Sequence, residues 1–388
     1  MRVNCAIRRF PLEKTPIRSL CGSQFGYGAC LSAISPTLAQ VQDPWELSHT
    51  AVSAHASLVA ASMIVAGLVY DRYAAHLPQR TVLRAGMVAV AGSAVLFSLA
   101  PGPSVLLSAT LCVGLTSTFV QTGGLALLTG QQPAQRARSM VAGTLCASVA
   151  SLLVPASLLA VSDVSGGWRF VWCAVALLFL GLTTLVPRDE QSGERAAVPD
   201  GDRRAPLGRR FALVAGAVAV GVGVEITVVY FSPALMKPAG LVLVAYYAGE
   251  LCGRLEGMRT SQRGDVQALM RSVVLACTGF CVFWLVAEPG VALAGLALAG
   301  FGISRFFPLG LSAAVGVSRA SGARSVARVH VLVGLAALVA PLVIGTAADR
   351  IGLGHALTAV PVLLVCMAVL LVAGCGTSVV RRRGVWAA

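Results

Sequence analysis

The sequence predicts an all-α polytopic membrane protein, with about twelve transmembrane helices in two six-helix pseudo-repeat bundles. Three observations predict it. The 388 residues are 56% hydrophobic and only 12% charged, whereas a soluble domain is about a quarter charged, and the mean hydropathy is +0.80. Apolar stretches of membrane-crossing length, roughly 20 residues each, follow one another along the chain. The two halves also repeat at a fixed spacing. This composition excludes a soluble enzyme, a disordered chain and a nucleic-acid-binding domain despite the net charge of +14. In a membrane protein a basic excess collects on the cytoplasmic side for topological reasons. The eleven cysteines, among them Cys112, Cys146, Cys173, Cys277 and Cys366, lie scattered in apolar stretches without a CxxC pair. They read as buried apolar thiols, not as disulfides or metal ligands.

Each element follows in order. The tail Met1–Thr15 is basic, with Arg2, Arg8, Arg9 and Lys14. The apolar stretch 17–38 is too long for a signal-peptide core and opens a series of similar stretches, so it is the first span. Spans 50–70, 81–100, 104–130, 138–162 and 168–186 complete the first half. Pro187–Arg210 then mixes Asp189, Glu190, Glu194, Asp200 and Asp202 with six arginines. Such a stretch cannot sit in hydrocarbon and is a linker. Spans 211–235, 240–258, 267–287, 290–316, 325–347 and 354–375 form the second half. The domains are therefore a bundle at 1–186, a cytoplasmic linker at 187–210 and a bundle at 211–388. With the N-terminus inside, the inner connections collect Arg72, Arg80, Arg84, Arg136, Arg138, Arg254, Arg259, Arg263, Arg271, Arg319, Arg324 and Arg328. The outer ones hold Asp43, Glu46, Asp163, Arg169, Lys237, Glu288, Asp349 and Arg350. The positive-inside rule then places both termini in the cytoplasm of a plasma (inner) membrane and favours an even number of spans.

The internal repeat has an offset of 186 residues. It aligns Gly114, Gly124 and Gly130 with Gly300, Gly310 and Gly316, and Ala137-Arg138-Ser139 with Ala323-Arg324-Ser325. It also aligns Pro155, Asp163 and Gly166 with Pro341, Asp349 and Gly352. Earlier spans match at slightly different offsets, as Ser35-Pro36 does with Ser232-Pro233. Repeated six-helix units are one way to build a transporter. Together with the central linker and the segment Gly67-Leu68-Val69-Tyr70-Asp71-Arg72, the repeat resembles a major facilitator superfamily (MFS) transporter over nearly the whole chain. The segment is similar to the start of that family's signature between helices 2 and 3. It departs from the signature after Arg72, where Ala74, Ala75, His76, Leu77 and Pro78 precede Arg80. Its second-half counterpart, Gly249 to Arg254, lacks the Asp. The stretch Gly300 to Leu309 is similar to helix 10 of fucose-permease-like members. The fourth-span Arg usual in drug–proton antiporters is missing between Leu111 and Leu128. The resemblance implies that Gly67, Asp71 and Arg72 form a cytoplasmic gate against helix 11, which starts near Arg324. The plainer reading is a loop-anchoring charge pair.

Charges at mid-membrane depth are costly, about 2.5–3.5 kcal/mol each on the insertion scale. Glu225 and Arg305 stand near the middles of spans seven and ten. The resemblance implies that spans 1, 4, 7 and 10 line a central cavity. At about 1.5 Å of rise per residue the two charges are close in height. They are expected to form a cavity ion pair, or jointly to contact substrate and proton. Arg305 would grip an anion, and Glu225 would be the protonatable switch. The alternative is a buried pair that only fixes packing. Gln24 and Tyr27 of span 1 and Gln121 of span 4 are candidate hydrogen-bonders to substrate. His55 and His330 are candidate proton relays, although a lone intramembrane His is more often a packing residue. Tyr246 and Tyr247 are either interfacial or cavity-facing. Glu250 and Arg254, four apart, are expected to pair locally.

Enzyme signatures are absent. The two lysines, Lys14 and Lys237, follow no Gly, so no phosphate-binding Walker loop exists, and no histidine begins an HExxH motif. The chain is therefore expected to be a secondary active transporter of a small solute by alternating access, proton-coupled as symporter or antiporter, and not an enzyme. Its partners are a small polar or anionic molecule and membrane lipid, with no nucleic acid, cofactor or metal, and it is expected to act as a monomer. The alternatives are a membrane-embedded enzyme or lipid-handling protein, a channel, or an efflux protein instead of an importer.

Overall fold

The computed structural model describes residues 14–72, 77–126, 133–186, 208–260, 266–318 and 322–375. Within them the chain forms fourteen α-helices and no strand. The first half contains α1 (Lys14–Val41), α2 (His49–Arg72), α3 (Gln79–Ser98), α4 (Pro103–Ala126), α5 (Pro133–Ala160) and α6 (Trp168–Thr183). The second contains α7 (Arg209–Leu235), α8 (Ala239–Thr260), α9 (Val266–Leu285), α10 (Pro289–Ile303), α11 (Phe306–Val317), α12 (Gly322–Ile351), α13 (Leu353–Ala356) and α14 (Ala359–Cys375). The expected linker lies outside the described residues up to position 207.

Nine stretches among the described residues are long and apolar enough to cross a membrane. Three further helices complete twelve crossings, and each falls short for a visible reason. α1 dilutes its apolar residues with Arg18, Ser19, Ser23 and Gln24, α6 has only 16 residues, and α8 carries Glu250, Arg254, Glu256 and Arg259. The tenth span is not the single helix expected over 290–316. It breaks at Ser304–Arg305 into α10 and α11. The Ser304 hydroxyl donates to Phe301 O at 2.8 Å, within the glycine-rich turn before the break.

Helix starts follow local chemistry. Glu288 caps α10, its carboxylate accepting from the amides of Gly290 (3.1 Å) and Val291 (2.5 Å), with Pro289 in the first turn. Prolines stand inside α1, α5, α7 and α12 at Pro36, Pro155, Pro233 and Pro341, the pairs that the sequence repeat aligns.

Buried apolar residues gather into two large clusters. One is drawn from Ala29 to Val186 and the other from Phe211 to Leu371, which are the two six-helix bundles of the fold. Several exposed large side chains, such as Leu68, Leu177, Val331 and Val362, point away from both. In a membrane such a surface meets lipid tails. Cys173, Cys252 and Cys366 are also exposed, so the expectation of buried thiols fails for them. A bilayer makes no distinction between core and lipid-facing apolar positions.

The two bundles meet along three seams. In α2–α12 the Ser57 hydroxyl donates to Leu338 O at 2.7 Å. Between α1 and α7 Ser35 donates to Val229 O at 2.7 Å. Between α5 and α8 the position of a Gly240 Cβ would be 2.9 Å from Pro155 O. We call the end bearing the 42–48, 161–167 and 236–238 connections the far end. The near end carries Ser19, Val186, Arg210 and Gly374.

Candidate functional site

The site is built where α7 and α8 face α1 and α5. α8 is brought deep into its bundle by glycines. A Cβ at Gly249 would lie 1.8 Å from Ala297 O of α10, and one at Gly300 2.2 Å from Tyr246 O. Small residues let membrane helices touch backbone to backbone in this way. The crossing fixes Tyr246, Tyr247, Glu250 and Arg254 on α8.

Glu250 is buried and forms an ion pair with Arg254 one turn later, as expected from their spacing. The guanidinium also crosses to the other half, where Nη1 donates to Ser148 Oγ of α5 at 2.6 Å. Glu225, half-buried on α7, stands within electrostatic reach of both Glu250 and Arg254. Tyr246 and Tyr247 flank the acids, their rings edge to face at 5.2 Å. The Tyr246 hydroxyl is buried and has no hydrogen-bond partner among the described residues. From the first half, Tyr27 reaches the same region, beside Gln121 and within electrostatic range of Glu225. Its hydroxyl also lies 3.9 Å from Met63 Sδ.

Arg305 is elsewhere. It stands at the break between α10 and α11, pairs with Glu256 of α8, and lies over the Phe301 ring at 4.6 Å. The expected Glu225–Arg305 pair is thus replaced by two pairs, each anchored on α8. Residue counting placed the two charges at similar height but carried no information on which way each helix faces. Arg254, counted with the inner-loop arginines, instead points into the seam between the halves. The missed signal was the charge density of α8, whose Glu250, Arg254 and Glu256 stand at spacings of four and two.

The other candidates separate. Gln24 is buried in the α1–α5 seam, its Cγ 3.0 Å from where a Gly143 Cβ would be. His55 Nδ1 lies 2.7 Å from Thr110 Oγ1, and that hydroxyl donates to Leu106 O at 2.9 Å. The ring is therefore the donor in a packing contact. His330 meets the Phe307 ring edge to face at 5.5 Å. Among the described residues nothing lies within 4 Å of a Cβ position at Gly67, so this glycine makes no close helix approach to them. The side chains of Asp71 and Arg72 lie outside the described ones. No group of three or more metal-ligating side chains occurs among the described residues. A cleft of about 1310 Å³ opens at the far end between Trp45, Asp163, Trp168 and Lys237; Glu225, Glu250 and Arg254 are not in its walls.

Residues 20–241 match the family model for the Major Facilitator Superfamily. The chain belongs to the Major Facilitator Superfamily. Membership makes it a membrane transporter. An uncharacterized MFS-type transporter of Burkholderia mallei is 27% identical over 319 residues, covering 78% of this chain and 76% of that one. One from Burkholderia pseudomallei matches equally. Among solved structures, a bacterial homolog of the human lysosomal transporter Spinster superposes with a TM-score of 0.75 at 13% identity, covering 97% of this chain and 99% of that one. The nucleoside transporter NupG gives 0.66 at 13% identity over 95% and 100%. The human organic anion transporter MFSD10 gives 0.64 at 16% over 93% and 100%. These structures share the MFS fold. Within this MFS chain the charged groups of the two pairs on α8, and Glu225 beside them, all belong to the second half.

Proposed function

We propose that the protein is a secondary active transporter that moves a small polar or anionic solute by alternating access, coupled to protons. One observation carries this reading: Glu225, Glu250 and Arg254 meet between the two halves, and Arg254 reaches across to Ser148. Two carboxylates facing one guanidinium leave one negative charge over, and a proton is the smallest ion that cancels it. A proton on this acid pair lets Arg254 turn from Glu250 to an anionic group of the solute through charge-assisted hydrogen bonds. Arg254 thereby takes the role that the sequence assigned to Arg305. Tyr27 and Gln121 supply neutral hydrogen bonds from the first half. Gln24 supports them from the α1–α5 seam. Arg305, held by Glu256, is the second cation, along the route toward the near end.

The bundles at 1–186 and 211–388 would rock about this site, joined by the 187–210 linker. The near end is cytoplasmic on the positive-inside argument, with both termini there, in a plasma (inner) membrane and in a monomer. Gly67, Asp71 and Arg72 would close that end in the opposite state. The similarity of Gly300–Leu309 to fucose-permease-like helices supports a polar solute.

The test is a panel of solutes in proteoliposomes with and without an inward proton gradient. Gradient-driven accumulation of one solute, lost in Arg254→Ala, is the expected result. Equal transport by wild type and Arg254→Ala, at equal reconstitution, would remove this site from the mechanism.

A further inference from the structure

The α2–α12 seam contains a joint at the far end that the transport site does not require. α2 begins at His49, and the first amides of any helix lack carbonyl partners within it. The side chain just before the helix ordinarily satisfies one of them, at the second or third position. Here Ser48 serves only the amide of Ala51, at 3.1 Å. The amides of His49 and Thr50 donate instead to Asp349 Oδ1 (2.8 Å) and Oδ2 (2.9 Å), and the Thr50 hydroxyl donates to Oδ2 at 2.5 Å. Asp349 lies 300 residues from His49, in the last turn of α12 and in the other bundle. A helix of one half is capped by a carboxylate of the other.

The electrostatics make this contact conditional. A carboxylate at a helix C-terminus faces the negative end of its own helix dipole, which is unfavourable. Asp349 occupies that position on α12. The same carboxylate at the N-terminus of α2 meets the positive end. Asp349 is therefore badly placed within its own bundle and well placed only when the far end is shut. One turn earlier, Gly345 allows the approach: a Cβ there would lie 2.5 Å from Ser53 Oγ and 2.8 Å from His49 O.

The other far-end seam is built differently. The repeat pairs Asp349 with Asp163; both are exposed, but Asp163 lies in the wall of the far-end cleft and caps no helix of the other half among the described residues. There α8 packs sterically through Gly240 on Pro155 and Leu159, and the solvent-exposed pair Lys237–Asp43 spans the gap. Exposed pairs of this kind contribute little.

We propose that Asp349 is the far-end latch: a carboxylate destabilised in its own helix that caps α2 only in the far-end-closed state, and so sets how often that end opens. The proposal is independent of Glu225, Glu250 and Arg254. The test uses full-length protein in nanodiscs carrying Ser57→Cys, with maleimide labelling of the introduced thiol followed by site-resolved mass spectrometry. Ser57 lies in the same seam and is only 5% exposed. Asp349→Ala is expected to raise the labelling rate about tenfold, the equivalent of a lost cap of about 1.4 kcal/mol. Thr50→Val, which removes one hydrogen bond and no charge, should raise it about threefold. Asp163→Asn should leave it unchanged. Unchanged labelling in Thr50→Val and in Asp349→Ala overturns the proposal, and so does a lower melting temperature without faster labelling. If Asp349→Ala does not fold, the Thr50→Val rate decides alone.

Discussion

Replacing Gly249 by Ala tests how the site is held in place. The Cβ of an alanine there would lie 1.8 Å from Ala297 O and 2.6 Å from Ala297 C. Non-bonded heavy atoms settle at about 3.5 Å or more, so α10 would have to withdraw from α8 by roughly 1.7 Å. The obstacle is backbone and cannot swing aside as a side chain would. Overpacking costs typically about 1–3 kcal/mol, and a backbone clash belongs at the upper end. Gly67→Ala is the matched control, because nothing among the described residues lies within 4 Å of its Cβ position. There the substitution should be neutral or stabilise the helix by up to about 1 kcal/mol. Thermal unfolding of the two variants in detergent measures the difference. Transport by the surviving Gly249→Ala fraction should fall too, since Glu250 is the next residue and moves with the crossing. If both variants melt at the same temperature, the α8–α10 contact is not as close as the geometry states.

Three further outcomes are expected. Glu225→Gln should still exchange solute across the membrane at equal concentrations but lose accumulation driven by a proton gradient, measured as counterflow against gradient-driven uptake. Arg254→Lys should not restore the transport lost in Arg254→Ala, because an ammonium cannot hold Glu250 and Ser148 in the same forked geometry; solute-protected thermal shifts would show it. Arg305→Ala and Glu256→Ala should each destabilise the protein, whereas the double variant should cost less than their sum by about 0.5–3 kcal/mol. A purely additive cycle in unfolding measurements would show that the pair is not coupled.

Much of the fold was legible because hydropathy and length act locally. Nine crossings announce themselves by composition, and the prolines of α1, α5, α7 and α12 carry the repeat. The break at Ser304–Arg305 was not legible. A glycine-rich apolar run reads as one helix until a hydroxyl and a distant carboxylate, here Glu256, compete for the backbone and for the guanidinium. The site was half legible. Glu225 was singled out by depth, and the Glu250–Arg254 pair by spacing, but their convergence depends on the rotation of α7 and α8 about their axes. For α8 that rotation is set by Gly249 and Gly300, whose role appears only once α10 is in place.

The distribution of charge between the halves bears on how the cycle can run cheaply. At the site the charged groups, Glu225, Glu250 and Arg254, belong to the second half, while the first half offers Tyr27, Gln121 and Ser148, all neutral. In the proposed cycle, rocking one bundle against the other therefore separates no buried ion pair; the pair that spans the halves, Lys237–Asp43, is solvent-exposed and contributes little. Removing one partner from a buried pair costs about 3–5 kcal/mol, whereas a hydrogen bond to a charged group is worth about 1.5–3 kcal/mol. The contact that must break at the site as the halves part is Arg254 to Ser148, which is of the second kind. A solute oxygen or water can replace the Ser148 hydroxyl as acceptor, so even that cost is largely recovered when the cavity opens. On this argument Ser148→Ala should speed opening without altering the proton requirement, and Ser148→Asp, which makes the link an ion pair, should stall the cycle with solute still bound. Fast turnover by Ser148→Asp in proteoliposomes would mean that the halves part somewhere other than at Arg254.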